Sequence, residues 1–122
     1  AAAFEPGDHA TTYGGQPLAT AAARAVLAVM EAEDVPARAE RAGRRITEGA
    51  LALPGVREVR GLGLLLALEL DGHDSKAVAA RLLELGAIVN AVTPTAVRLA
   101  PSLLITDDEI DHALTLLAEA LS

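Results

Sequence analysis

The residues best suited to chemistry crowd into one stretch, His9-Ala10-Thr11-Thr12-Tyr13-Gly14-Gly15-Gln16-Pro17-Leu18-Ala19. Thr11 and Thr12 offer neighbouring hydroxyls that can donate to anionic oxygens. Gly14 and Gly15 let the backbone turn sharply and approach a ligand closely. Pro17 suits the first position of a helix, where no N–H is required and φ is already set. The unpaired N–H groups that open such a helix favour negative charge. Local chemistry leaves two readings open: an ordinary Thr/Gly turn before a helix, or one wall of a phosphate pocket. The pattern G-x-x-x-x-G-K-[ST] is absent, which excludes a P-loop.

A second candidate is Arg98, in Ala96-Val97-Arg98-Leu99-Ala100-Pro101. Strand alternation puts Val97 and Leu99 on one face and Arg98, between alanines, on the other. A guanidinium hemmed in by apolar surface seeks a carboxylate, ideally as a bidentate pair. An exposed or salt-bridged arginine near a sheet edge would show the same spacing. His9, His73 and His112 lack metal-ligand spacing, so no metal site is expected. Ser75 and Thr47 have no histidine partner in the pattern, so no nucleophilic triad is indicated. Lys76, the sole lysine, follows Asp71-Gly72-His73-Asp74-Ser75 and is expected at an exposed helix start, poorly placed for a burial-lowered amine pKa.

These groups need elements to hold them. Leu18, Ala22, Ala25 or Val26, and Val29 recur at helical spacing between Pro17 and Ala32. Asp34 is expected to cap a second helix with the stripe Ala39, Ala42, Ile46, Ala50 and Leu53. Two strands follow, Val56 to Arg60 and Leu64 to Leu70, joined by Gly61-Leu62-Gly63. A third helix turns Val78, Ala79, Leu82 and Leu85 inward and stops at Gly86. Ala87 to Ala91 and Ala96 to Ala100 are predicted strands around Thr93-Pro94. Thr106-Asp107-Asp108-Glu109 predicts a capping box for a last helix burying Ile110, Leu114, Leu117 and Leu121. The predicted order is α-α-β-β-α-β-β-α. The fold class is therefore α/β, an α+β arrangement of a small, largely antiparallel sheet with helices packed on one face.

With 122 residues, 52% of them apolar, the chain is one domain's worth and large enough to bury a core. One Phe and one Tyr are its only aromatics, so that core is aliphatic. A net charge of −7, with no basic cluster interleaved with aromatics, argues against nucleic acid as a partner. No apolar run reaches membrane length and no signal peptide is visible. The absence of cysteine excludes disulfides and is compatible with a cytoplasmic location. The opening Ala-Ala-Ala-Phe-Glu-Pro-Gly reads like the tail of an element cut short.

Gly7 together with the segment from His9 to Ala19 resembles the G-x-H-G-[ST]-T-[FY]-G-G-N-P-L-A signature of class III aminotransferases. Ala10 and Gln16 depart from that pattern, standing where glycine and asparagine are usual. Val97 to Thr106 resembles the family's [IV]-R-[LF]-x-P-P-L-x-I-[ST] segment, with Ser102 in place of the second proline. Val59-Arg60-Gly61-Leu62-Gly63-Leu64 and Ala87-Ile88-Val89-Asn90 are similar to its V-R-G-x-G-L hairpin and the strand that follows.

The resemblance implies pyridoxal 5′-phosphate (PLP) as cofactor and a homodimer in which Thr12 contacts the phosphate of the neighbouring subunit's cofactor. It also implies that Thr11 lies near the substrate and that Arg98 holds the substrate's α-carboxylate. Residues 1–16 would be the phosphate-contacting loop, and 17–122 the C-terminal small domain of a fold-type I PLP aminotransferase. Short connections after Leu70 and Ala91 favour the acetylornithine branch, with an ω-amine donor and 2-oxoglutarate as small-molecule substrates of arginine biosynthesis. The family's Schiff-base lysine has no counterpart here, so no catalytic residue is assigned and a C-terminal fragment, inactive alone, is expected. A non-catalytic, stand-alone α/β module that binds an amino acid or a partner is the rival reading, since it also accounts for the missing lysine.

Overall fold

The computed structural model describes residues 11–122. The chain divides into two compact units, Ala1–Glu33 and Asp34–Ser122. The described part of the first unit is a loop leading into α1 (Pro17–Ala32). Gln16, extended at φ −66° and ψ 149°, sits at the N-cap, and Pro17 opens the helix as its fixed φ suggests. None of the residues of α1 is buried; Leu18, Val26 and Val29 of its predicted stripe are exposed, and so is Leu27.

The second unit runs α2 (Val35–Leu51), β1 (Val56–Leu62), β2 (Leu65–Leu70), α3 (Ser75–Glu84), β3 (Asn90–Thr93), β4 (Ala96–Leu99) and α4 (Asp107–Ala120). With α1, this is the predicted element order. The four strands form one sheet in the order β1-β2-β4-β3, every pair antiparallel. Alternation decides which face is covered. Leu66, Leu68 and Leu70 of β2 and Val97 of β4 join Ala42 and Ile46 of α2, Val78 and Leu82 of α3, and Ile110 and Leu117 of α4 in one core. Arg60, Ala67, Glu69 and Arg98 alternate with these core residues and occupy the opposite face. Class and layering are those expected of an α+β unit with helices on one face of an antiparallel sheet.

Local structure follows from particular residues. Gly63 takes φ +54° at the first of the two residues between β1 and β2, the backbone that a II′ hairpin turn requires. Its carbonyl lies so near Gly43 on α2 that a Cβ there would run into it, so Gly43 lets helix and hairpin approach closely. At α4 both halves of the capping box form: Thr106 Oγ1 accepts from the Glu109 N–H at 3.3 Å, and Glu109 Oε2 accepts from the Thr106 N–H at 2.8 Å. Asp74 caps α3 by accepting from the Ala77 N–H at 2.9 Å.

Three expectations are corrected. Asp34 occupies the N-cap of α2 but in the left-handed region, φ 46°, with no side-chain cap bond. Aspartate tolerates that region, and here it turns the chain between α1 and α2. β3 begins at Asn90 rather than Ala87, and β4 ends at Leu99 rather than Ala100. Continuing the β3–β4 register would bring Ile88 opposite Ala100, next to Pro101, which has no N–H to donate. Finally, β1 runs on to Leu62, so the link to β2 is shorter than expected.

Candidate functional site

On the open face of the sheet, Arg60, Ala67, Arg98 and Asn90 stand directly opposite one another across β1, β2, β4 and β3. Ala67, between the two arginines, leaves room for both side chains. The next row along places Glu58 beside Glu69 and Glu69 beside Ala96. Glu69 is thus a diagonal neighbour of both Arg60 and Arg98, a relationship that long side chains can bridge.

Glu69 is taken by the first of them. Its Oε1 accepts from Arg60 Nη2, its Oε2 accepts from Thr95 Oγ1 at 3.2 Å, and Arg57 Nη2 lies 3.9 Å from Oε2. Only 11% of the Glu69 side chain is exposed, so the carboxylate is largely withdrawn from water. The hydrogen bond from Arg60 is the main reason its pKa lies below the ordinary range, despite a desolvation that works the other way.

Arg98 is left exposed and makes no hydrogen bond or ion pair among the described residues. It lines an open cavity of about 480 Å³ together with Asn90, Ala100 and Lys76. Among the described residues both cations on this wall lack a carboxylate partner, and Asn90 adds an amide that can donate or accept. A planar guanidinium with no partner among the described residues is matched to an incoming carboxylate. Lys76 is exposed at the start of α3, as its sequence context predicts, and shares the cavity with Arg98.

The β3–β4 turn that launches Arg98 is fixed from two sides. Ser75, fully buried, donates from Oγ to the Thr93 carbonyl, and its N–H donates to the Pro94 carbonyl at 2.9 Å. On the other side, Leu70 N–H donates to the Thr95 carbonyl at 2.7 Å.

The loop before α1 is a separate constellation. The Gly14 N–H donates to Thr11 Oγ1 at 3.2 Å, and Gln16 Nε2 donates to the Thr12 carbonyl at 3.0 Å. The Thr12 hydroxyl has no partner among the described residues and is exposed. Gln16 therefore acts through its longer amide, as a brace for the Thr12 backbone. Gly7, His9 and Ala10 of the same motif lie outside the described residues. Among the described residues no group of His, Asp or Glu side chains is placed to hold a metal ion, and no helix is long and apolar enough to cross a membrane.

Spacing alone did not bring out the Arg60–Glu69–Thr95 cluster. Its signal was Glu69 itself, the one charge in the otherwise apolar strand Leu65–Leu70.

A family model described as "Aminotransferase class-III" matches residues 1–121. The chain is 46% identical over 121 residues to an acetylornithine aminotransferase of Bifidobacterium longum, covering 98% of this chain and 28% of that protein. It is 43% identical over 122 residues to an ornithine aminotransferase of Bordetella pertussis, covering 98% and 30%. Among solved structures, an ornithine aminotransferase from Toxoplasma gondii, described with partial PLP occupancy at its active site, superposes with a TM-score of 0.78 at 35% identity. That match covers 96% of this chain and 29% of the solved one. The chain thus spans about three tenths of the length of the relatives it matches.

Proposed function

This chain belongs to the class-III aminotransferase family, and on that premise we propose that it is the C-terminal portion of a PLP-dependent transaminase. The reaction moves an amino group from N-acetylornithine, or a related ω-amine donor, to 2-oxoglutarate, in cytoplasmic arginine biosynthesis. The observation that carries this reading is Arg98: a guanidinium with no partner among the described residues, lining a cavity on the open face of a sheet whose nearby carboxylate is already engaged.

In this reading residues 1–16 form the phosphate-contacting loop and 17–122 the small domain. PLP, when bound, supplies the electron sink through which an amine passes between two carbon skeletons. The residues present fit one part of that cofactor, its phosphate. The Thr12 hydroxyl has no competing bond among the described residues and can donate to a phosphate oxygen, and α1 opens beside it with N–H groups that favour anions. The family resemblance supports a contact made across a homodimer, to the cofactor of the partner subunit. Thr11, whose oxygen already accepts from Gly14, keeps its proton for a substrate oxygen nearby.

Arg98 grips the α-carboxylate of 2-oxoglutarate, which lies next to the reacting carbon, through its planar fork, fixing the skeleton's orientation. No group in this chain is suited to the covalent role. Lys76 is exposed rather than desolvated, so the amine that carries the cofactor is read as belonging to the length of the relatives not spanned here.

The test is an assay of the complete protein with PLP, 2-oxoglutarate and, in separate reactions, N-acetylornithine, ornithine and 4-aminobutyrate. Glutamate formation that needs an ω-amine donor supports the reading, and the preferred donor fixes the branch. Glutamate formation from none of the three rejects it.

A further inference from the structure

The open face of the sheet sets Arg60 and Arg98 around one carboxylate, and of these two only Arg60 is paired among the described residues. Glu69 is diagonal to Arg60 on β1 and to Arg98 on β4, with Ala67 between the two. A largely dehydrated carboxylate diagonal to a guanidinium that has no partner among the described residues gains by pairing with it. Here Arg60 occupies Oε1, while Thr95 Oγ1 and the more distant Arg57 attend Oε2. Of these partners, Arg60 and Arg57 draw the carboxylate toward β1, on the side of β2 away from Arg98.

We propose that Arg60 is a positioning residue that holds Glu69 away from Arg98, and so keeps the Arg98 guanidinium available to a substrate carboxylate. Arg60 touches no substrate and acts only through Glu69. Released from Arg60, Glu69 swings across Ala67 onto Arg98 and becomes an internal competitor for the site. If the pair forms nine-tenths of the time, the apparent affinity for carboxylate substrates falls about tenfold. Competition of this kind is overcome by saturating substrate, so KM rises while kcat holds. The proposal rests on the reading of Arg98 as the carboxylate-binding residue, and its test separates the two.

The experiment is steady-state kinetics of the complete PLP-loaded enzyme and of four variants: Arg60→Gln, Glu69→Gln, the double variant, and Arg98→Ala. Arg60→Gln should raise KM for 2-oxoglutarate about tenfold, with kcat within about twofold of the parent. Adding Glu69→Gln to it should return KM to the parent value. Glu69→Gln alone, which removes the competitor and leaves both arginines, should stay within about twofold of the parent KM.

A merely structural role for Arg60 would lower kcat along with affinity, and that result overturns the proposal. So does a tenfold rise in KM for Glu69→Gln, which stands as a test even if Arg60→Gln does not fold. If Arg98→Ala is crippled while Arg60→Gln behaves as the parent, this inference alone fails. If Arg98→Ala keeps its KM for 2-oxoglutarate, the reading of Arg98 beneath it fails.

Discussion

The buried hydroxyl of Ser75 donates to the carbonyl of Thr93, tying the first residue of α3 to the last residue of β3. The turn held in this way leads straight into β4, three residues before Arg98 reaches the open face of the sheet.

Ser75→Ala removes that donor and leaves the carbonyl of Thr93, an exposed residue, short of one partner. Losing such a part-buried hydrogen bond costs about 0.5–1.5 kcal/mol. We expect that loss in chemical denaturation, together with a modest rise in substrate KM as the β3–β4 turn loosens. Unchanged stability would mean that backbone bonds alone hold the turn.

Acid should destabilise the protein through two identified carboxylates. Glu69 is held below the ordinary range chiefly by the hydrogen bond from Arg60, and Glu109 chiefly by the Thr106 backbone N–H. A group whose folded pKa is depressed stabilises fully above its unfolded pKa, about 4.3 for glutamate, and loses that contribution as pH falls through the lower folded value. Melting temperature measured from pH 7 to 3 should therefore stay level and then drop below about pH 4.3. Glu69→Gln and Glu109→Gln should each make the drop shallower. An unaltered acid limb in both variants would locate the sensitivity elsewhere.

Much of this was legible in the sequence because the signals were local. Thr106-Asp107-Asp108-Glu109 specifies its capping box within one turn, and the Ala39-Ala42-Ile46-Ala50 stripe is buried as its spacing requires. Alternation also put Arg98 on the face away from Val97. What local reasoning missed depends on pairing between distant strands. Ala87 to Val89 looks like strand until the register shows that Pro101 cannot extend the ladder. The capture of Glu69 by Arg60 becomes visible only when β1 and β2 are aligned. Asp34 has the right residue type for a cap, but a left-handed backbone turns the chain there instead.

Thr12→Val should weaken PLP retention in the complete enzyme while sparing the fold. A hydrogen bond to a charged group contributes about 1.5–3 kcal/mol, so a loss of roughly ten- to hundredfold in cofactor affinity is expected on titrating the apoenzyme. Thr11→Val also removes the acceptor for Gly14 and should alter the KM of the amino donor more than PLP affinity. Unchanged PLP affinity in Thr12→Val would reduce the loop to a turn.

The most direct test is the kcat/KM of Arg98→Ala for both substrates, with PLP content and melting temperature measured alongside. 2-oxoglutarate reacts at the carbon next to its α-carboxylate, whereas an ω-amine donor reacts several bonds away from its own, so kcat/KM should fall steeply for 2-oxoglutarate and less for the donor. Removing one partner of a desolvated, hydrogen-bonded charge pair costs about 2–5 kcal/mol, or roughly thirtyfold and upward. Arg98→Lys should recover little, because an ammonium cannot reproduce the planar fork. PLP content and melting temperature should stay near the parent values, since Arg98 makes no bond among the described residues whose loss would unsettle the fold. A folded, PLP-loaded Arg98→Ala enzyme that retained its kcat/KM for 2-oxoglutarate would contradict the account.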